Sequence, residues 1–209
     1  MIRVFIADDH AVVRQGIARI LADASDVVLV GECADAAEAR KLALTIEADA
    51  CVLDLAMPGG GVDFIAELHE LRPRLRILVF TMHREQQYAL RVLAAGAAGF
   101  LGKGCPPEEL LTAVRAVSTG RRYLSEPVAE LLAERVLDGP SEIAHEKLSP
   151  REFEVFLRLA AGEGSSEIAG ILGLSVKSVS TYRARVLEKL GVARNADLTR
   201  YALENDLLD

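Results

Sequence analysis

The sequence predicts an α/β fold, a five-stranded doubly wound parallel sheet, followed by a small all-α domain. Over the first 120 residues, five short apolar runs alternate with five stretches of helical periodicity, joined by short connections. Four of these runs end on, or are followed by, a polar residue placed where a buried strand would stop. After Gly120 the alternation ends, and the rest of the chain has helical spacing.

In order, the strands are expected at 2–7, 27–33, 50–53, 75–80 and 97–101, and the helices at 11–23, 35–47, 62–71, 84–95 and 106–119. Right-handed crossovers between parallel strands leave few topologies for such a series. Asp35 and Asp63 suit helix starts. Pro106 and Pro107, followed by Glu108 and Glu109, place ring and acids at the positive end of a helix dipole. A further amphipathic helix is expected over Glu126–Leu137, broken by Asp138-Gly-Pro-Ser141. The domains expected are 1–120, a helical linker 121–147, and 148–209. In the last, Ser149-Pro-Arg-Glu152 carries a capping box and a first-turn proline. That helix runs to about Ala161, where Gly162 and Gly164 end it. A short helix, Ser166–Leu172, comes next with Ser165 at its start. The turn Gly173-Leu-Ser175, the helix Val176–Leu190 and a last helix over about Asn195–Asn205 complete the chain. A short helix, a glycine-containing turn and a second helix form a helix-turn-helix.

Composition bounds the function. A length of 209 residues allows two small domains, and 51% apolar residues suffice for their cores. No apolar run approaches membrane-spanning length, and Asp8 and Asp9 interrupt the N-terminal run too early for a signal peptide. Three unevenly spaced cysteines suit a reduced, cytoplasmic protein without disulfides or zinc spacing. Cys33 and Cys51 fit plain core, and Cys105 falls in a loop. The net charge of −7 argues against a uniformly basic nucleic-acid binder. The charge is uneven, however. The first 146 residues hold 15 basic against 22 acidic side chains, whereas Ser175–Arg200 holds six basic against two acidic. Two domains with different partners fit that asymmetry.

In a parallel sheet the carboxyl ends of the strands share one edge, where sites are built. Asp8, Asp9, Asp54, Thr81 and Lys103 therefore converge. Three carboxylates make a pocket for a small, hard cation such as Mg²⁺. A carboxylate also serves as a phosphoryl nucleophile, and Thr81 and Lys103 supply a donor and a cation for the transferred group. His10 and His83 lie near this site in sequence and are expected to face solvent.

Asp8-Asp9-His10, Asp54-Leu-Ala-Met-Pro58, Thr81-Met-His83 and Gly96-Ala-Ala-Gly-Phe-Leu-Gly-Lys103 resemble the receiver domain of two-component response regulators. The resemblance implies a CheY/flavodoxin-like receiver in which Asp54 accepts phosphate from a sensor histidine kinase. It further implies that Asp9, Asp54 and the Ala56 backbone carbonyl ligate Mg²⁺ directly, with Asp8 acting through water. Thr81 and Lys103 would bind the phosphoryl group, and Phe100 matches the aromatic residue that turns inward with Thr81. One departure stands out. After Pro58 the run Gly59-Gly60-Gly61 makes the loop one residue short for this family and suggests unusual flexibility.

Leu148-Ser-Pro-Arg-Glu152, Glu167-Ile-Ala169, Leu174-Ser175 and Val179–Leu190 resemble the helix-turn-helix of NarL/FixJ-type (LuxR-type) transcription regulators. Helical spacing puts Val179, Tyr182, Val186 and Leu190 on the core face. Lys177, Ser180, Thr181, Ala184, Arg185 and Glu188 lie opposite, on a face suited to the major groove. The resemblance places base readout at Ser180, Thr181 and Ala184. Lys177, Arg183 and Arg185 are the phosphate candidates, with Arg183 at the margin where an intramolecular salt bridge competes. No Asn or Gln lies on that face, so shape and water are expected to share in recognition. By resemblance, the last helix, with Leu198, Tyr201, Ala202 and Leu203, both packs and dimerises.

The function expected is a DNA-binding transcription regulator switched by phosphorylation of Asp54. Its partners would be a sensor histidine kinase and double-stranded promoter sites, with a homodimer forming on phosphorylation or on DNA and no membrane contact. It is not expected to be an enzyme beyond slow Mg-dependent self-phosphorylation and self-dephosphorylation. Two alternatives compete. A phosphatase of the haloacid dehalogenase class wants a second Asp two residues after the nucleophile, where this chain has Ala56. A DNA-binding protein with a phosphorylation-independent receiver would not need the acidic pair, Thr81 and Lys103.

Overall fold

Five strands form one parallel sheet, in a computed structural model that describes residues 1–82, 85–138, 143–205, 207 and 208, the side chains of 85–87, 131 and 134–138 excepted. The strands are β1 (Ile2–Ala7), β2 (Val27–Cys33), β3 (Ala50–Leu53), β4 (Arg76–Thr81) and β5 (Gly99–Gly102), in spatial order β2-β1-β3-β4-β5. The helices between them are α1 (Ala11–Ala22), α2 (Ala36–Thr45), α3 (Val62–Leu71), α4 (Glu85–Ala94) and α5 (Pro107–Ser118). The expected starts of the fourth and fifth strands fall one and two residues early, because Leu75 and Ala97 are buried apolar residues that lie in connections rather than in the ladder. The expected position 84 for the fourth helix, and His83, lie outside the described residues.

The strands bury both faces, so their apolar runs are nearly continuous. Successive side chains alternate between faces. Val4, Ile6, Val52, Leu78 and Phe80 pack with Ile17 and Leu21 of α1 and with Leu110, Val114 and Val117 of α5. The alternate residues Phe5, Cys51, Leu53, Ile77, Val79 and Phe100 are fully buried on the other side of the pleat. Asp35 caps α2 by accepting the Glu38 N–H at 2.8 Å, and Pro107 occupies the first turn of α5.

Beyond Gly120 the chain stays with the sheet. Tyr123 bridges to Gly99 in parallel, donating its N–H to Ala98 O at 3.0 Å. Its hydroxyl donates to Glu109 Oε1 at 3.0 Å. A Cβ on Gly99 would come within 2.9 Å of Tyr123 O, so glycine is what permits this approach. One aromatic residue among Arg121, Arg122 and Ser125 carries no strand period, which is why the sequence does not announce it.

The chain forms two compact units, Met1–Glu134 and Arg135–Asp209. The helix α6 (Glu126–Asp138) spans their boundary. Of the expected helix breaker Asp138-Gly-Pro-Ser141, Asp138 is the last residue of α6, and the rest lies outside the described residues. A single 3₁₀ turn at Ala144–Lys147 leads into α7 (Pro150–Ala160), α8 (Ser165–Leu172), α9 (Val176–Leu190) and α10 (Asn195–Glu204). The start of α8 differs from expectation. Gly164 is its N-cap and Ser165 lies inside it, with no side-chain cap bond. Gly173 and Gly191 end α8 and α9 in the left-handed conformation, at φ 65° and 68°.

Glu152 ties this unit together. Its Oε2 accepts the Ser149 N–H at 2.7 Å, closing the capping box at the start of α7. The same oxygen meets Lys189 Nζ of α9 at 2.6 Å. Burial alone would raise the Glu152 pKa, and the Lys189 and Ser149 hydrogen bonds lower it further than burial raises it. Losing the cap and the half-exposed pair in Glu152→Ala should cost about 2 kcal/mol in a denaturant series. A lowered folded pKa means this stabilisation is complete above the ordinary value of 4.5 and lost as the pH falls below it. The wild-type–variant difference should therefore shrink under acid, and a pH-independent difference would contradict the assignment.

Candidate functional site

The register of the sheet builds the site. Ala7 pairs with Leu53, so Asp8 and Asp54, each the next residue, leave adjacent strands side by side. Their backbones remain in the ladder: Asp8 N–H donates to Cys33 O at 3.1 Å and Asp54 N–H to Ala7 O at 2.8 Å. The strand order reverses between β1 and β3, and crevices form at such switch points. Thr81, the last residue of β4, pairs with Gly102, and its carbonyl accepts the Lys103 N–H at 2.9 Å. The sheet thus brings Asp8, Asp54, Thr81 and Lys103 to one edge, with Asp9 beside them.

Lys103 holds the centre. Its Nζ lies 2.7 Å from Asp54 Oδ2 and 2.7 Å from Asp8 Oδ2. The contact with Asp54 is a hydrogen bond. The contact with Asp8 is an ion pair of the same length, so both carboxylates share the one ammonium. Burial pulls the Lys103 pKa down, and the two carboxylates more than reverse this, leaving it raised. The ammonium is therefore charged throughout the neutral range. Asp8, Asp54 and Thr81 are all buried, whereas Asp9 is exposed.

Several contacts hold these groups in place. Arg14 Nη1 on α1 donates to Asp8 O at 2.6 Å. The His10 N–H donates to Asp8 Oδ1 at 2.8 Å, and the Ala56 N–H to Asp54 Oδ1 at 3.3 Å. Arg14 is not among the residues the sequence singles out, because its only signal is its place one turn into the helix after the acidic pair. His10 faces solvent as expected, beside Asp9. Its side chain is 63% exposed and pairs through Nδ1 with Asp9 Oδ1 at 2.7 Å.

Backbone hydrogen bonds close the loop after Asp54. Gly60 N–H donates to Met57 O at 2.9 Å, and Ala36 N–H at the start of α2 donates to Pro58 O at 3.0 Å. A Cβ on Gly60 would meet the Leu55 and Met57 carbonyls at 2.8 Å, so the short loop needs glycine to close. Phe100 is fully buried in the sheet. Cys33 and Cys51 are buried and stay neutral, the Cys33 thiol being pushed up to about 12, chiefly by burial. Cys105 is partly buried against the core.

The residues fit a divalent cation. Oxygens of Asp8, Asp9 and Asp54 and a nitrogen of His10 lie within 4.8 Å of one another. Three carboxylates set against the Lys103 ammonium leave two formal negative charges, matched by one divalent ion. Asp8 and Asp54 offer buried carboxylate oxygens, already paired with Lys103, and Asp9 an exposed one.

In the second unit, α9 buries Val179, Val186 and Leu190 and half-buries Tyr182. Lys177, Ser180, Thr181, Ala184, Arg185 and Glu188 are exposed on the opposite face. Ser180 Oγ and Thr181 Oγ1 each donate to the carbonyl four residues earlier, at 3.0 Å. Both hydroxyls therefore turn lone pairs outward. Arg183 Nε donates to Asn195 Oδ1 at 2.7 Å, tying α9 to α10. Its partner is a neutral amide rather than a carboxylate, so the contact leaves the positive charge uncompensated. In α10, Leu198 and Ala202 are buried and Leu203 is 53% exposed. Among the described residues no helix is long and apolar enough to cross a membrane.

The family described as response regulator receiver domain matches residues 4–115, and bacterial regulatory proteins of the luxR family match residues 146–202. The chain is 35% identical to response regulator UvrY of Escherichia coli (strain K12), over 99% of this chain and 96% of that protein. It is likewise 35% identical to response regulator GacA of Pseudomonas aeruginosa, over 100% of this chain and 99% of that protein. Among solved structures it resembles RcsB from Salmonella enterica serovar Typhimurium bound to promoter rprA with phosphomimetic BeF3⁻. There the TM-score is 0.71 at 30% identity, covering 96% of this chain and 97% of that one.

Proposed function

This chain belongs to the response regulators that join a receiver domain to a LuxR-type DNA-binding domain, and from that premise we propose that Asp54 is the phosphoacceptor and α9 the DNA-reading helix. The chain is a transcription regulator rather than a conventional enzyme. The observation that carries the phosphoacceptor assignment is the Lys103 ammonium, 2.7 Å from Asp54 Oδ2 on an edge shared with Thr81.

A sensor histidine kinase in the cytoplasm presents a phosphohistidine. An Asp54 oxygen attacks its phosphorus. The new O–P bond forms as the N–P bond breaks, and the leaving imidazole nitrogen keeps the electron pair and takes up a proton. Lys103 already lies against the accepting carboxylate and offsets the incoming charge. Thr81 donates its hydroxyl to a phosphoryl oxygen, and Phe100 fills the space behind it. Asp8, Asp9, Asp54 and the Ala56 carbonyl would hold Mg²⁺, which when bound neutralises phosphoryl oxygens.

On the DNA side, Lys177, Arg183 and Arg185 contact phosphates while Ser180, Thr181 and Ala184 approach base edges. Outward lone pairs on Ser180 and Thr181 favour the exocyclic amino groups of adenine or cytosine. Two copies bind half-sites about one helical turn apart, roughly 34 Å. The partly exposed Leu203 on α10 supports a homodimer through that helix.

The test is incubation with acetyl phosphate and Mg²⁺, then intact mass and DNA-binding selection. A gain of one phosphoryl group with increased affinity for a selected site is expected. On that site and on a scrambled one, Lys177→Ala and Arg185→Ala should weaken binding alike and lower the salt slope by about one. Unchanged affinities and slopes in both variants would remove α9 as the reading element.

A further inference from the structure

We propose that Asn195 is a positioning residue for DNA binding: from the start of α10 it holds the Arg183 guanidinium, with its charge intact, for a phosphate at the flank of the groove. This rests on α9 being the DNA-reading helix proposed above.

Three arginines of the second unit are half-buried among the described residues, Arg151, Arg158 and Arg183. Two of them are neutralised within the fold. Arg151 pairs with Glu154 at 2.8 Å and Arg158 with Glu163 at 3.0 Å. Among the described residues Arg183 has no carboxylate partner. Its Nε donates to the neutral Asn195 Oδ1 at 2.7 Å, and neither Nη group makes a hydrogen bond there. The acid in the first turn of α10, Asp197, is taken by the Arg194 N–H at 3.1 Å and by the Arg194 and Arg200 guanidiniums at 3.5 and 3.7 Å. A partly desolvated charge is costly unless it is paired. A DNA phosphate is the anion that completes this one.

The placement fits that partner. Arg183 lies three residues after the exposed Ser180, so the two are neighbours on the helix and Arg183 borders the exposed face. A helix in the major groove is flanked by the phosphates of both strands. With Nε held, the two Nη groups form a fork that grips a phosphate through paired N–H donors. Asn195 is itself fixed, because Leu198 is fully buried and Thr199 Oγ1 donates to Ala160 O at 2.8 Å, pinning α10 to α7. An amide oxygen orients the guanidinium without neutralising it, whereas a carboxylate would do both. Ordering a long side chain in advance removes part of the cost of binding.

The experiment uses the full chain treated with acetyl phosphate and Mg²⁺, and measures binding to a selected site and a scrambled one across a salt series. Arg183→Ala should weaken both about tenfold and lower the salt slope by about one. Asn195→Ala keeps the charge but loses its placement, so it should weaken both about threefold at an unchanged slope. In the Arg183→Ala background the same substitution should add less than about twofold. Asn195→Asp gives the guanidinium a carboxylate, so the slope should fall by about one although the tie between α9 and α10 is kept. An Asn195 that only joined the helices would tolerate the aspartate, which strengthens that tie. Wild-type affinity and slope in Asn195→Asp, or a threefold loss on Asn195→Ala that persists without Arg183, overturns the proposal. Loss in Lys177→Ala and Arg185→Ala with none in Arg183→Ala removes the Arg183 contact alone, whereas no loss in any of the three removes α9 as the reading element.

Discussion

Asp54→Asn is expected to abolish phosphorylation outright, with no gain of phosphoryl mass from acetyl phosphate and Mg²⁺. The amide is nearly isosteric but is no nucleophile at phosphorus. It still occupies the end of β3 beside Asp8, so the fold should survive; the backbone bond from Asp54 N–H to Ala7 O does not involve the side chain. The substitution also removes one charge from the Lys103 pair, so Mg²⁺ should bind more weakly. Stimulation of DNA binding by phosphate donors should disappear with the mass gain. Stoichiometric labelling of the variant would place the acceptor elsewhere.

Lys103→Met should have the second largest effect, on stability and signalling together. The methionine keeps an apolar stem, but Asp8 and Asp54, at 2% and 1% side-chain exposure, lose their shared cation. Stripping one partner from a buried ion pair typically costs about 3–5 kcal/mol. About 3 kcal/mol, the low end of that range, is expected at neutral pH without divalent ions. Mg²⁺ should restore stability to the variant more than to the wild type, because it replaces the missing charge. The raised Lys103 pKa fixes the alkaline behaviour of the wild type. Its stabilisation is complete below the ordinary value of 10.5 and lost as the pH rises through the raised one. The variant should lack that alkaline loss. Equal stability of the two proteins at pH 7 in chelator would show that Lys103 does not hold the pair.

Much of this molecule is legible in its sequence, because its elements carry local signals. The α9 helix is bounded by Ser175 and Gly191, a cap and a left-handed stop whose effects need no tertiary partner. The Ser149–Glu152 capping box is equally local. Asp8, Asp54, Thr81 and Lys103 are traceable because parallel strands have one carboxyl edge, so strand ends in sequence become neighbours in space.

The sequence by itself determined the strand and helix series, the convergence of polar groups on one sheet edge and the exposed face of α9, since periodicity and capping act within a few residues. Only the tertiary structure decided that Lys103 sits between Asp8 and Asp54 and that Arg183 is held by Asn195. It also decided that Tyr123 joins the sheet edge at Gly99. Each of these contacts depends on a side-chain rotamer or on a partner brought near by packing. No period or spacing along the chain encodes that choice, because it is made by the space and charge left when the rest of the fold has closed.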